Sequence, residues 1–482
     1  MSTPTPSGDP VPCSFVPPYL LHHLASLATD SPVAAPARTL DVDARLRGLR
    51  AAPPARLTVL SPAGPAAVGA QRVVHTAAGT EQLPGAVART DDAPPTGDAA
   101  VDEAHDSSAQ VWDLFAEEFG RASVDGAGTT LSVTVHYGQD YDNAFWDGSQ
   151  LVFGDGDGQV FDRFTKPMDV MAHEFTHGVT QFSAGLTYQG QSGALNESVS
   201  DVFASMTKQR SLGQEAGAAD WLIGEGLFRP GVKARALRSM LEPGTAYDDP
   251  QLGRDPQVGS MADYVDTTDD NGGVHLNSGI PNRAFALAAT AVGGHSWERT
   301  GKVWYDALTG GQVDAGTDFQ GFAAATVASA QRLFADDATV AEHVRAAWQQ
   351  VGVLTAADGP ATPPAPAPAA AATIPSSDAR RVAVSRSGGF AGVTRAGQLD
   401  LEGDPQGPEV RALLQRADLA GLATPSVGAA GPDRFVYTLA LDDWQLTVPE
   451  QDLTPELHQV VQIVLAGAPP VELDGPDSLE LG

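Results

Sequence analysis

Two histidines four residues apart, with a glutamate beside the first, are the residues of this chain most suited to chemistry: His173, Glu174 and His177. On a helix, positions i and i+4 share a face, so both imidazoles can reach one metal ion. Glu174 then stands near the open side of that ion, where a water would sit. A catalytic zinc needs a third protein ligand as well as an open position. The segment Gly193–Asp201 offers Glu197, 20 residues after His177, which leaves room for a turn and an antiparallel return. Asp201 lies one helical turn beyond Glu197 and can accept the spare N–H of a ligating histidine, fixing its tautomer. Taken alone, the pentad also fits a surface helix that happens to carry two histidines, and Glu197 alone fits a solvated helix acid.

The elements that must position these residues are legible around them. Met168–Ser183 reads as a helix, with Pro167 suited to its start, Asp169 to its positive end and Gly185 to a stop. Leu131–Tyr137 alternates like a strand, and Ser107–Phe119 has the spacing of an amphipathic helix. Gln150–Asp157 and Gln159–Phe164 read as strands broken by the Gly-rich turn Gly154–Gly158. That turn has the composition of a calcium loop but not its twelve-residue spacing. Helical spacing recurs at 192–209, 279–292, 297–308, 318–334 and 338–351, and 221–277 is loop-rich. The fold class expected is α+β: a β-rich N-terminal lobe and an α-helical C-terminal lobe with the His173–His177 helix at the seam.

Outside that body the composition shifts. Residues 1–72 form a small segment: a Pro-stiffened apolar piece at Cys13–Leu21, a short helix over 20–28, a charged helix over 41–50, then an Ala/Pro/Gly tether. Residues 355–377 are Pro/Ala-rich and read as a semi-rigid linker. Residues 378–482 carry strand alternation at Val382/Val384 and Phe435–Leu441, helices over 408–419 and 454–466, and an acidic tail, which makes a small α+β domain.

The whole chain of 482 residues has a formal net charge of −31, which argues against nucleic acid or an anionic membrane as a partner. Its single cysteine, Cys13, excludes an intramolecular disulfide, and no apolar run reaches membrane-span length. The N-terminus lacks a basic start followed by an apolar core, so no Sec-type signal is expected.

With Asn143–Trp146, Val152–Gly158, Gly185–Tyr188, Trp221–Glu225, Leu237–Met240 and Asp270–Gly279 added in order, residues 73–354 resemble the thermolysin family of zinc endopeptidases. The resemblance implies one catalytic zinc on His173, His177 and Glu197, with a zinc-bound water activated by Glu174. It implies oxyanion donors in Tyr188 and His275, with Asp270 orienting His275. Asn143 and the Ala144 carbonyl would hold the substrate backbone, and Arg238 would sit behind the primed-side pocket. Phe161, Phe164, Val170 and Leu237 would wall an apolar pocket, so that protein or peptide substrates are cut N-terminal to large apolar residues. The family's paired calcium site would use Asp169, Asp220 and Glu225. Its remaining acid is replaced here by Lys208, so the double calcium site is expected to be absent. A catalytically silent binding protein, or a protease–inhibitor fusion, on the same scaffold stays open as an alternative.

The N-terminal segment resembles the short propeptide of protealysin-like enzymes, through Pro17, Pro18, Tyr19 and Leu20. That implies a zymogen whose cleft is blocked by this motif, with removal by self-cleavage near Gln71–Val74. Cys13 could be a zinc-capping thiol or a simply packed cysteine. The C-terminal domain, through Ser385–Gly392 and Leu446–Glu450, resembles emfourin, a small inhibitor of such proteases; a generic appended domain is the other reading. The resemblance implies a secreted enzyme, by a route the sequence does not identify, with its own propeptide and C-terminal domain as intramolecular inhibitors.

Overall fold

A computed structural model describes residues 14–27, 35–50, 71–355, 381–388, 395–401, 403–417, 435–441, 444–449 and 453–466. The chain divides into two compact units, Met1–Gly359 and Pro360–Gly482.

In the first unit a five-stranded sheet is built from β1 (Arg72–Thr76), β2 (Ala86–Thr90), β3 (Leu131–Val135), β4 (Ala144–Trp146) and β5 (Leu151–Phe153), ordered β2-β1-β3-β5-β4. β1 pairs parallel with β3, and β3 parallel with β5, while the two outer pairs are antiparallel. The helix α3 (Ala99–Phe119) starts eight residues before the expected Ser107, because the Asp98 carboxylate caps it by accepting from the Ala100 and Val101 amides. It ends on Gly120 in the left-handed conformation. The expected strand over 159–164 does not form. The Asp157 carboxylate takes the amides of Gln159, Val160 and Phe161 instead, leaving Phe161 a single bridge to Phe228.

Helices α4 (Met168–Gln181) and α5 (Gly190–Leu212) pack along one another. Both are buried on nearly every side, which is why neither shows a simple polar face. Pro167 caps α4 rather than entering it. Close packing at the start of α5 depends on Gly193: a Cβ there would stand 2.5 Å from Val274 Cγ1 and 2.9 Å from the Tyr188 backbone. Two short strand pairs follow, β6 (Leu222–Ile223) with β7 (Arg238–Ser239), and β8 (Asp248–Asp249) with β9 (Gly253–Arg254). The region expected to be loop-rich also holds α6 (Asp270–Asn277). Its first residues, Asp270 to Gly273, all have positive φ, a strained entry that a helix pattern does not reveal. α7 (Gly279–Val292), α8 (Thr300–Thr309), α9 (Phe319–Leu333) and α10 (Ala338–Gln350) complete the helical half, with Trp304 stacked on Trp348 at 6.0 Å.

Two helices precede the sheet. α1 (Pro18–Leu27) buries Leu20, Leu21 and Leu24, and α2 (Ala35–Arg50) starts six residues earlier than expected. The second unit has an antiparallel sheet ordered β11-β10-β12-β13, from β10 (Arg381–Gly388), β11 (Arg395–Asp400), β12 (Phe435–Leu441) and β13 (Trp444–Pro449). α11 (Gly407–Arg416) and α12 (Pro455–Ala466) share its core, including Val382, Leu439, Val410, Leu457 and Val460. No helix among the described residues is long and apolar enough to cross a membrane.

Candidate active site

α4 and α5 bring His173, His177 and Glu197 together, all buried. The two Nε2 atoms face each other at 3.0 Å, and they stand 3.4 and 3.5 Å from the Glu197 carboxylate oxygens. Ligands at zinc bond lengths in a tetrahedral arrangement lie about 3.3 Å apart, so the spacing suits one ion. The outer nitrogens are already engaged. His173 Nδ1 donates to Asp201 at 2.9 Å, and His177 Nδ1 to Asn196 Oδ1 at 2.9 Å, with the Ser200 hydroxyl at 3.2 Å. Both Nε2 lone pairs therefore point at the same place. Glu197 Oε2 and both Glu174 oxygens are buried there without a hydrogen-bond partner. Orphaned carboxylate oxygens beside converging imidazoles fit a divalent cation, and two histidines with one carboxylate are a zinc donor set.

The electrostatics follow from burial and neighbours. Burial pushes the Glu174 carboxyl up to about 8, against the pull of His173. Burial disfavours the charged form of His173, but the hydrogen bonds it donates to Asp201 and Glu197 raise it to about 9; the same burial carries His177 down to about 4. Asp201 is held at about 2 despite burial, chiefly by Arg238. It accepts from Arg238 Nε and Nη2 at 2.8 and 2.7 Å and from Asn282 Nδ2 at 2.8 Å, in addition to His173. Asn196, Ser200 and Asn282 went unmarked in the sequence: nothing in their spacing sets them apart from ordinary helix polar residues.

On the other wall, His275 Nδ1 meets Asp270 at 2.6 Å, and its amide donates to the same carboxylate at 2.9 Å. Burial opposes the imidazolium, yet Asp270 and then Glu197 raise it to about 9. Tyr188 OH donates to Glu197 Oε1 at 2.5 Å and stands 3.3 Å from His275 Nε2. Phe161, Phe164, Val170 and Leu237 are all buried in the surrounding core, the first two with ring centroids 5.7 Å apart.

The N-terminal segment lies across this site. Ser14, Phe15 and Val16 make the main-chain contacts, to Ala144, Asn143, Arg238 and His275. Pro17 and Pro18 have no N–H to offer. The Pro17 carbonyl accepts the Leu20 and Leu21 amides and starts α1, whose Tyr19 stays within electrostatic reach of Arg238 and Asp270 while Leu20 packs into the core. Cys13 lies outside the described residues. Gly224 is a further residue that the sequence did not mark. Its φ is +75°, and a Cβ there would crowd Leu237 Cβ at 3.1 Å and the Phe15 ring at 3.4 Å. A cavity of about 400 Å³ beside α2, lined by Thr39, Glu81 and Tyr141 among others, and one of about 580 Å³ beside β8 and β9 both lie away from the metal ligands.

Residues 71–181 match the thermolysin metallopeptidase catalytic domain, residues 184–353 the thermolysin metallopeptidase alpha-helical domain, and residues 384–465 emfourin. An extracellular metalloprotease of Pectobacterium carotovorum subsp. carotovorum is 50% identical over 342 residues, 71% of this chain and 96% of that protein. The chain belongs to the thermolysin family of metallopeptidases. Protease PrtS of a Photorhabdus strain is 46% identical over 284 residues, covering 58% of this chain and 76% of its own. The solved precursor of protealysin, a metalloproteinase from Serratia proteamaculans, is 47% identical and superposes with a TM-score of 0.62 over 71% of this chain and all of its own. This thermolysin-family chain is accordingly a hydrolase of the metalloprotease type, with a β-rich region, a helical region and an added emfourin domain.

Proposed function

We propose that the chain is a zinc endopeptidase made as a zymogen, in which His173, His177 and Glu197 hold the metal. The observation that carries this is the convergence of both Nε2 atoms and the Glu197 carboxylate beside an unpaired, buried Glu174. When bound, zinc supplies Lewis-acid polarisation of the scissile carbonyl and a lowered water pKa. Glu174 takes the proton of the attacking water and delivers it to the leaving amine, a task suited to a carboxyl lifted towards neutrality. His275, charged and fixed by Asp270, donates to the developing oxyanion, and Tyr188 stands beside it. Asn143 and the Ala144 carbonyl receive substrate amides. Arg238, anchored on Asp201, grips a substrate carbonyl with its remaining nitrogen. Phe161, Phe164, Val170 and Leu237 favour a large apolar residue on the primed side of the cut.

Lys208 takes the place of the paired calcium ions in this reading. Its ammonium lies 3.1 Å from Asp220 and 2.8 Å from Glu225, and burial combined with the Lys208 charge leaves Asp169 at about 6. The N-terminal segment acts as an inhibitory propeptide, and the emfourin domain as a second, tethered inhibitor. Its extracellular relatives support export. The cut that frees the mature enzyme falls before Gln71. Arg72 already belongs to the sheet and Gln71 is tied to it, their amides donating to the Asp91 carboxylate and the Gln71 carbonyl accepting from Leu131, so the Arg72–Val73 bond cannot enter a cleft without unpairing β1.

The test is hydrolysis of a quenched peptide with Phe or Leu after the cut, by the chain freed of its N-terminal segment and titrated with zinc. Activity saturating at one equivalent supports the proposal. Tight zinc binding with no hydrolysis would mark a silent binding protein instead.

A further inference from the structure

Ser14, Phe15 and Val16 are laid out in the direction and register of a substrate, with one amide over the catalytic residues. Ser14 bridges antiparallel to Phe145 at the edge of the sheet. The Phe15 amide donates to the Ala144 carbonyl at 3.1 Å, and the Val16 amide to Asn143 Oδ1 at 2.8 Å. Arg238 Nη1 holds the Phe15 carbonyl at 3.0 Å, and His275 Nε2 holds the Ser14 carbonyl at 3.0 Å. The Phe15 ring is wholly buried. It stands edge-on to His173 at 5.1 Å, under the Arg238 guanidinium at 4.6 Å, in the space left by Gly224. The Ser14 carbonyl thus occupies the oxyanion donor, and the next side chain fills the apolar pocket. The amide between them lies at the site that also holds the unpaired Glu174 carboxylate.

We propose that the Ser14–Phe15 bond is cut by the enzyme's own centre, within one molecule; this rests on the function proposed above. Water is the only co-reactant. Its oxygen bonds to the Ser14 carbonyl carbon, the C–N bond breaks, one of its protons ends on the Phe15 nitrogen, and a Ser14 carboxyl is left. The cut does not release the block. Phe15 and Val16 keep their bonds to Ala144, Asn143 and Arg238. Behind them α1 is anchored by Leu20, Leu21 and Leu24, so the new N-terminus stays in the pocket as a tethered product. Latency therefore persists after the cut, until a second cleavage before Gln71 lets the whole segment leave.

The experiment uses the full chain, prepared metal-free and then given one equivalent of zinc. Intact mass and N-terminal mapping are followed over time at several protein concentrations. A chain beginning at Phe15 is expected, at a rate independent of concentration, while activity on a quenched peptide stays low. Phe15→Gly should slow the cut roughly 100-fold, and Glu174→Ala should abolish it. In the metal-free chain, hydrogen exchange at the Phe15 and Val16 amides should be slow, a readout that needs no turnover. Fast exchange at both amides would overturn the proposal. So would an unchanged rate in Phe15→Gly, or an intact Ser14–Phe15 bond in a zinc-loaded chain whose freed form hydrolyses the quenched peptide. Absence of both the cut and peptide hydrolysis would sink the endopeptidase reading itself.

Discussion

At the residue scale, each side chain in the centre is held by a partner that the motif alone does not name. Glu174 is paired with no other side chain, so Glu174→Gln should keep the fold and the zinc while lowering kcat by roughly 10²–10⁴, read by steady-state kinetics beside metal analysis. Asp201 carries His173, Arg238 and Asn282 at once. Asp201→Asn should weaken zinc about 10–100-fold, and by stranding the buried Arg238 charge it should also cost about 3 kcal/mol in denaturant melts. A pH signature lies farther off. His136, between Asp155 and Asp98, is raised from 6.5 to about 8, chiefly by its hydrogen bond to Asp155. The folded state holds this proton more tightly than the unfolded one. Its stabilisation is therefore full below pH 6.5 and fades as pH rises through 8. Solvent screening of the half-exposed carboxylates leaves roughly 1 kcal/mol, and His136→Gln should flatten that part of the stability–pH curve. The metal ligands were legible because their residue types and spacing are restrictive. Asn196, Asn282 and Gly224 were not, since their roles arise only when α5, α7 and the loop after β6 meet.

At the element scale, α4 was legible from Pro167 and Asp169 at its start, though it ends at Gln181, before the expected stop at Gly185, and α5 and most of the helical half were legible from helical spacing. What escaped were features set by single side chains or by strained backbone. Asp98 begins α3 early, Asp157 converts an expected strand into a capped turn, and the left-handed run Asp270–Gly273 aims His275. Asp98→Ala should cost about 1 kcal/mol through the lost cap, measured by thermal melts above pH 8, where the His136 pair no longer contributes. The Lys208 ion pairs tie α5 to the loop around β6 without a metal. The melting temperature of the native chain should therefore be flat in buffered calcium with zinc held constant. In Lys208→Glu it should climb with calcium, because four carboxylates then surround an ammonium-sized space. A calcium-dependent native chain would contradict the substitution argument.

At the scale of the whole molecule, a centre built between two helices is covered by the chain's own N-terminal residues, and an emfourin domain follows at the other end. The sequence placed the blocking contact at Pro17–Leu20. The main-chain contacts come from Ser14–Val16, the last residues before the prolines that still have N–H groups to pair, and Tyr19 follows within reach of Arg238 and Asp270. If the C-terminal domain is inhibitory, removing Ala379–Gly482 from the matured enzyme should raise kcat/KM on peptides, and unchanged kinetics would leave it a passenger. The central claim is that His173, His177, Glu197 and Glu174 together make a working peptidase centre. The most direct measurement is the zinc-dependent hydrolysis of a quenched peptide by the freed enzyme and by Glu174→Gln, with bound zinc quantified in both. Equal zinc in the two, with hydrolysis in the first and a loss of at least roughly 100-fold in the second, is the expected result. Equal zinc with equal hydrolysis, or zinc without hydrolysis in either, would contradict it.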